Sequence, residues 1–270
     1  MNKHRIITLS IILALVFGAT GFCFADTGLR STDTVWLAHK GYSGKAPANT
    51  TVAMVEAVNA GFDGAEMDVW VSRHGMFLSH DKKIHAVGGK KIKVTSLTLA
   101  NRDKYKVRGR GKYGPQVVPT LDEALNAIWS TADAQGKPGF IVELDIKQNH
   151  ISAKAVRRII NMVGDRNVRI NTSSPRVVKL FKKYRKSSNT QIWIYIGNRS
   201  QGVSKRFIKK AKKLGVNGVS MPPSNWKAST IKLAKSKGLQ LAAYTNNRGQ
   251  ICRLVHAGFN RICCNSKHFQ

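Results

Sequence analysis

From residue 35 onward the chain alternates between two hydrophobic periods. Short apolar or period-two runs predict strands at 35–38, 64–71, 76–79, 140–147, 168–171, 191–196, 216–221, 240–245 and 260–264. Between them, apolar residues three and four apart predict helices at 50–60, 121–130, 152–163, 175–185, 204–214, 227–237 and 249–256. Strands separated by helical crossovers run parallel, because a parallel neighbour cannot be reached through a tight turn. About eight such repeats in roughly 240 residues fit a closed (β/α)8 TIM barrel better than an open doubly wound sheet. No linker or low-complexity segment divides the chain, so residues 26–270 read as a single domain.

One stretch breaks the rhythm. Residues 82–116, "KKIHAVGGKKIKVTSLTLANRDKYKVRGRGKYGPQ", have basic, glycine-rich turns and weak periodicity. The stretch is too long for an ordinary connection and is expected to sit over the active face or to form a small lid.

The pattern before residue 35 is of another kind. Lys3 and Arg5 precede "IITLSIILALVFGATGFCFA", which closes on Ala25: a charged start, an apolar run and a small-residue exit, as in a secretory signal peptide over 1–25. An uncleaved anchor is the rival reading, although the run is short for a bilayer. Phe22 before Cys23 argues against lipoprotein processing. The protein is therefore expected to be exported, to a periplasm or to the outside. Removal of Cys23 leaves Cys252, Cys263 and Cys264. Adjacent Cys263 and Cys264 point to opposite faces of a strand, so they do not bond each other. A bridge from Cys252 to one of them, or three small buried hydrophobes, are both open. No zinc-ligand spacing is present.

Strand parity turns the pattern into chemistry. In "GAEMDVWVS", Ala65, Met67 and Val69 share one face while Glu66 and Asp68 share the other. In "FIVELDIK", Val142, Leu144 and Ile146 face the helices and Glu143, Asp145 and Lys147 face inward. Carboxylates that converge inside a barrel repel and resist desolvation unless a cation lies among them. Glu66, Asp68 and Asp145 are an oxygen-rich set suited to a hard divalent cation, Ca2+ or Mg2+, rather than zinc. His39 ends the first strand and His80 ends "MFLSH", a pair suited to acid and base work. His74, His85, His150, His256 and His268 lack such a setting.

Charge adds a second theme. The chain has 45 Lys and Arg against 14 Asp and Glu, a net +31, and residues 166–270 contain no Asp or Glu at all. Self-repulsion of that size does not help folding; it draws a protein to anionic polymers or membrane surfaces. In "SKRFIKKAKKLG", Phe207, Ile208, Ala211 and Leu214 share one helical face and lysines cover the rest, which reads as an outer barrel helix with a solvated basic side. No nucleic-acid motif accompanies the charge, and nothing in the pattern sets an oligomeric state.

Taken in order, "AHKGYSGKAPANTT", "GFDGAEMDVWVS", "MFLSHD", "VPTLDEAL", "ELDIK" and "LAAYTNN" resemble the motifs of the glycerophosphodiester phosphodiesterase family, in register from about residue 35 to 265. The resemblance implies a (β/α)8 barrel that hydrolyses glycerophosphodiesters to glycerol 3-phosphate and an alcohol with a divalent cation. By position it makes His39 and His80 the acid and base and Glu66, Asp68 and Asp145 the metal ligands. It places Lys40 and Lys147 at the phosphate and Tyr244 where the family has a pocket-walling tryptophan. Four departures stand near this chemistry. Lys40 replaces arginine, Ala48 replaces the glutamate of Pro-Glu-Asn-Thr, Asp145 replaces glutamate, and "CNSK" at 264–267 replaces Thr-Asp-x-Pro. Two other readings follow: a catalytically weak barrel whose basic face binds anionic polymers or membranes, and a related phospholipase of the phosphatidylinositol-specific or sphingomyelinase D kind.

Overall fold

The computed structural model describes residues 34–195 and 202–266. The leader expected over 1–25 lies outside the described residues. In chain order the elements are β1 (Val35–Ala38), α1 (Thr51–Asn59), β2 (Gly64–Ser72), β3 (Gly75–Leu78), β4 (Lys83–His85), β5 (Lys91–Lys93), α2 (Leu121–Ala134), β6 (Ile141–Ile146) and α3 (Ala153–Val163). They continue with β7 (Val168–Thr172), α4 (Pro175–Tyr184), β8 (Thr190–Tyr195), α5 (Lys205–Leu214), β9 (Gly218–Ser220), α6 (Ala228–Ser236), β10 (Gln240–Tyr244), α7 (Arg248–His256) and β11 (Arg261–Cys264).

Eight strands pair in parallel in the order β1-β11-β10-β9-β8-β7-β6-β2, and β1 pairs β2 to close the ring. This is the TIM barrel that the strand and helix spacing predicts. Parity holds along its staves. Ala65, Met67, Val69, Val142, Leu144 and Ile146 are fully buried against the helices, so the alternate positions Glu66, Asp68, Glu143 and Asp145 face inside. Most helices begin on a side-chain cap: Thr50, Thr120, Ser152, Ser174, Ser204 and Asn247 each accept a backbone N–H of the first turn. Helix α2 outruns its predicted end at 130 because Ser130 and Thr131 bond back to the Ala127 carbonyl and Ala132 reaches the core.

The lower interior of the barrel is polar. Arg261 ion-pairs with Glu143 and lies 4.3 Å over the Trp193 ring, with Arg169 5.5 Å away from that ring. Gly218 makes room for this stack, since a Cβ there would stand 2.4 Å from the Trp193 ring.

The predicted strand at 76–79 forms as β3 but pairs antiparallel on the outside of β2, so it is not a stave. The insertion differs from expectation. Residues 82–116 hold the β4–β5 hairpin, whose three-residue strands are too short to leave a period in the sequence, over a small apolar cluster of Phe77, Ile84, Ala86, Val94, Leu97 and Val118. None of residues 82–116 lines the central cavity. The far end of the segment instead reaches α1, where the Tyr113 hydroxyl donates to buried Glu56, which also pairs with Lys45 at 2.6 Å. Cys263 and Cys264 are buried free thiols, which removes a bridge from Cys252 to either of them. Among the described residues no helix is long and apolar enough to cross a membrane.

Candidate active site

A cavity of about 300 Å³ opens at the carboxyl ends of the barrel strands, lined by residues of seven of them and by His39 just beyond the eighth. His39 enters from the end of β1, Glu66 and Asp68 from β2, His80 from just beyond β3, and Asp145 with Lys147 from the end of β6. Tyr195 ends β8 and Tyr244 ends β10. Seven of the eight residues singled out from the sequence thus meet in one place: His39, His80, Glu66, Asp68, Asp145, Lys147 and Tyr244.

Lys40 is the exception. Its side chain does not line the cavity; its backbone N–H donates to Glu66 Oε2 at 2.8 Å from a left-handed conformation, φ 60°. Its ammonium still acts at a distance as one of the charges that hold His39 neutral.

The ligand atoms of Glu66, Asp68 and Asp145 all lie within 4.8 Å of one another. Burial, then repulsion from Asp68 and Asp145, pushes the Glu66 carboxyl well above the usual range. Burial raises Asp145 to about 6, with Lys147 opposing and Asp68 adding to the shift. Burial would raise Asp68 as well, but the Lys147 ammonium and the Asn49 amide reverse it, and Asp68 titrates below its ordinary value. Lys147 Nζ stands 3.2 Å from Asp68 and 3.1 Å from Asp145. One ammonium against three carboxylates leaves the cluster short of positive charge. Asp145 Oδ1 is a buried acceptor with no hydrogen-bond partner among the described residues. A hard divalent cation fits that deficit.

His39 and His80 differ in setting. The His39 side chain is 17% exposed, and burial, then the nearby Lys40 charge, lowers its pKa to about 4. Its Nε2 stands 4.0 Å from Glu66 and its ring packs on Tyr244 with centroids 4.0 Å apart. His80 is 48% exposed, and its Nδ1 lies 2.8 Å from Asp81.

Several residues of the site carry no weight in the sequence reading. Asn49 donates to Asp68 Oδ2 at 2.7 Å and accepts the Asp68 N–H at 3.0 Å, so it holds Asp68 by its carboxylate and its backbone together. Ala48, beside it, is exposed. The signal lay in the quoted "PANTT", read for its alanine rather than its asparagine. Asn265 meets His39, and Asn171, Tyr195 and Arg261 complete the wall and floor; burial and then Asp145 push the Tyr195 phenol to about 12. Asn171, Tyr195 and Arg261 belong to strands whose polar positions look unremarkable one at a time.

The sequence matches the glycerophosphoryl diester phosphodiesterase family over residues 39–266. A glycerophosphodiester phosphodiesterase of Bacillus altitudinis is 26% identical over 119 residues, covering 42% of this chain and 44% of that protein. One from Caldanaerobacter subterraneus subsp. tengcongensis is 29% identical over 117 residues, 42% and 45% of the two chains. Each alignment thus spans less than half of the curated relative. Among solved structures, an Oleispira antarctica phosphodiesterase in complex with the product sn-glycerol-3-phosphate superposes with a TM-score of 0.75 at 17% identity, over 90% of this chain and 97% of that one. A putative glycerophosphoryl diester phosphodiesterase from Silicibacter pomeroyi gives 0.74 at 17% identity, over 90% and 94%. At such identities the likeness is one of fold.

Proposed function

Because the chain belongs to the glycerophosphoryl diester phosphodiesterase family, we propose that it is an exported, cation-dependent hydrolase that cleaves glycerophosphodiesters to glycerol 3-phosphate and an alcohol. The observation that carries this reading is the meeting of three carboxylates, Glu66 and Asp68 buried and Asp145 half-buried, with two histidines and a lysine in one cavity at the carboxyl end of the barrel strands.

Glu66, Asp68 and Asp145 would hold Ca2+ or Mg2+, which when bound supplies positive charge to the phosphoryl oxygens. Lys147, tied to two of those carboxylates, adds a second cation beside the phosphate. Lys40 contributes charge from the rim and, through its backbone, holds Glu66 in place. His39, neutral at pH 7, takes the proton of the attacking hydroxyl as base. His80, at the open side of the cavity, then protonates the departing alcohol. Tyr244 packs against His39 and walls the glycerol end.

Export rests on the leader-like pattern of residues 1–25. The basic outer helices supply a contact for an anionic polymer or membrane surface, as a property added to the hydrolase. The geometry favours the phosphodiesterase over a pure binder, because a surface-binding protein gains nothing from three desolvated carboxylates.

The test is release of glycerol 3-phosphate from glycerophosphocholine and glycerophosphoethanolamine with calcium, magnesium or chelator. Cation-dependent release that His39→Ala and His80→Ala each reduce by roughly 10²-fold or more, with melting temperature unchanged, is the expected result. Wild-type rates from either variant would overturn the assignment.

A further inference from the structure

We infer that Asn265 is a positioning residue for the reaction: it holds His39 in the tautomer that carries its proton on Nδ1 and turns Nε2 toward the cavity. The inference rests on the hydrolase reading above for its kinetic consequence, and on geometry alone for the tautomer.

Asn265 follows β11, the stave that pairs with β1, and the His39 N–H donates to the Cys264 carbonyl at 2.9 Å. This ladder bond makes residues 39 and 265 neighbours although 226 positions separate them. The Asn265 Oδ1 lies 2.8 Å from His39 Nδ1 and also accepts the Ser43 hydroxyl at 3.0 Å. An amide oxygen can only accept, so the ring nitrogen facing it must carry the hydrogen.

The amide is itself held. The Asn265 backbone N–H donates to Asn246 Oδ1 at 2.6 Å, and Asn246 Nδ2 donates to the Tyr244 hydroxyl at 2.8 Å. Tyr244 in turn packs its ring on His39, tilted by 34°. The imidazole is therefore fixed on its Nδ1 edge by Asn265 and on one face by Tyr244. Its Nε2 edge points at the carboxylate cluster, 4.0 Å from Glu66. A lone pair on Nε2 is what a base needs in that direction.

The position is one where the chain departs from its family pattern, with "CNSK" in place of Thr-Asp-x-Pro. The departure keeps a hydrogen-bond acceptor at 265 while removing its charge.

The experiment compares wild type with Asn265→Leu, Asn265→Asp and Ser43→Ala by kinetics on glycerophosphocholine, calcium affinity by calorimetry, and 15N shifts of the His39 ring. Asn265→Leu should lower kcat about 10²-fold, the usual cost of a misplaced catalytic group, with KM and calcium affinity within about two-fold. Its His39 ring should show a mixture of tautomers, where wild type shows protonated Nδ1. Asn265→Asp should recover most of the rate, because a carboxylate oxygen also accepts, and Ser43→Ala should show a smaller loss. Wild-type kcat in Asn265→Leu, an unchanged ring signature, or calcium affinity falling in step with kcat would each overturn the inference. A wild-type protein that releases no glycerol 3-phosphate would sink the hydrolase reading only. The ring signature in Ser43→Ala and Asn265→Asp would still decide the tautomer, also if Asn265→Leu fails to fold.

Discussion

Asp145 shows what the site costs in the absence of a cation. An unfolded aspartate titrates near 4, whereas burial and Asp68 bring this one to about 6 against the pull of Lys147. The folded state therefore holds its proton longer, and stability falls as pH rises from about 4 through 6, by up to roughly 1.4 kcal/mol per pH unit. Above that window the penalty is complete, and a cation held at the proposed site would offset it. In chelator at pH 7.5, Asp145→Asn should thus stabilise the protein by about 1–3 kcal/mol, should give no gain at pH 4, and, on the proposed cation site, should abolish the rise in melting temperature expected on adding calcium. Denaturant melts at the two pH values measure this; destabilisation by Asp145→Asn at pH 7.5 would contradict it. Asn49 belongs to the same scale. With both its amide ends on Asp68, Asn49→Leu should weaken calcium binding about 10-fold, in the range seen when a residue behind a metal ligand is lost, a change that calorimetry reads directly.

Among the helices, part of the lysine excess has a structural use. Lys182 on α4 donates to the Leu214 carbonyl at the end of α5 at 2.8 Å, and Lys235 on α6 donates to Ala257 at the end of α7 at 2.5 Å. Lys137 reaches Val58 in the last turn of α1 at 2.9 Å. Each ammonium meets carbonyls that have no partner inside their own helix, at the negative end of its dipole. Gly215 follows α5 with φ 66°, and a Cβ there would stand 2.4 Å from Lys182 Nζ; the glycine lets the chain turn and leaves the lysine its place. Lys182→Met and Lys235→Met keep the apolar stem and remove the charge. Each should lower stability by about 0.5–1 kcal/mol, and the pair should add, since the sites share no partner. Chemical denaturation of the two singles and the double checks both statements; no loss in either single would return these lysines to the solvated surface. The α5 helix settles its own case: Ile208 and Ala211 are buried in the core and Lys209, Lys210, Lys212 and Lys213 are exposed, so its apolar face is already used by the barrel.

For the whole molecule, the charge is barely neutralised from within. Among the described residues from 166 onward, the cations that form ion pairs are Arg166 with Asp133 and Arg261 with Glu143. Helices α4, α5 and α6 follow one another around the barrel, and their exposed lysines and arginines have no acidic neighbour on these three elements. A belt of one sign raises the local concentration of polyanions and fades with salt. The triple change Lys209→Glu, Lys210→Glu and Lys213→Glu should therefore elute from immobilised heparin at clearly lower salt than the wild type. Hydrolysis of glycerophosphocholine should stay the same, because α5 does not line the cavity. An unchanged elution position would show that other surfaces carry the attraction.

The sequence by itself determined the barrel and most of the side chains that meet in its cavity. Period-two and helical runs are local, and strand parity fixes which side of a stave each residue takes, so Glu66, Asp68, Asp145 and Lys147 were legible as an inward group. His39 was legible because strand ends of a parallel barrel all open to one face; His80 was legible as the end of a short strand, although that strand is not a stave, and Tyr244 through the family resemblance. Tertiary structure alone decided the partners. Asn49 finds Asp68 only when the loop after β1 folds down on β2, and Asn265 finds His39 only when β11 closes on β1. The same closure stacks Arg261 on Trp193 and over Glu143, and the insertion finds its place through Glu56, on a helix that precedes it by two strands. Such contacts join positions far apart in the chain, and a hydrogen bond between an asparagine and a distant side chain leaves no periodic trace, so only the closed ring could supply them.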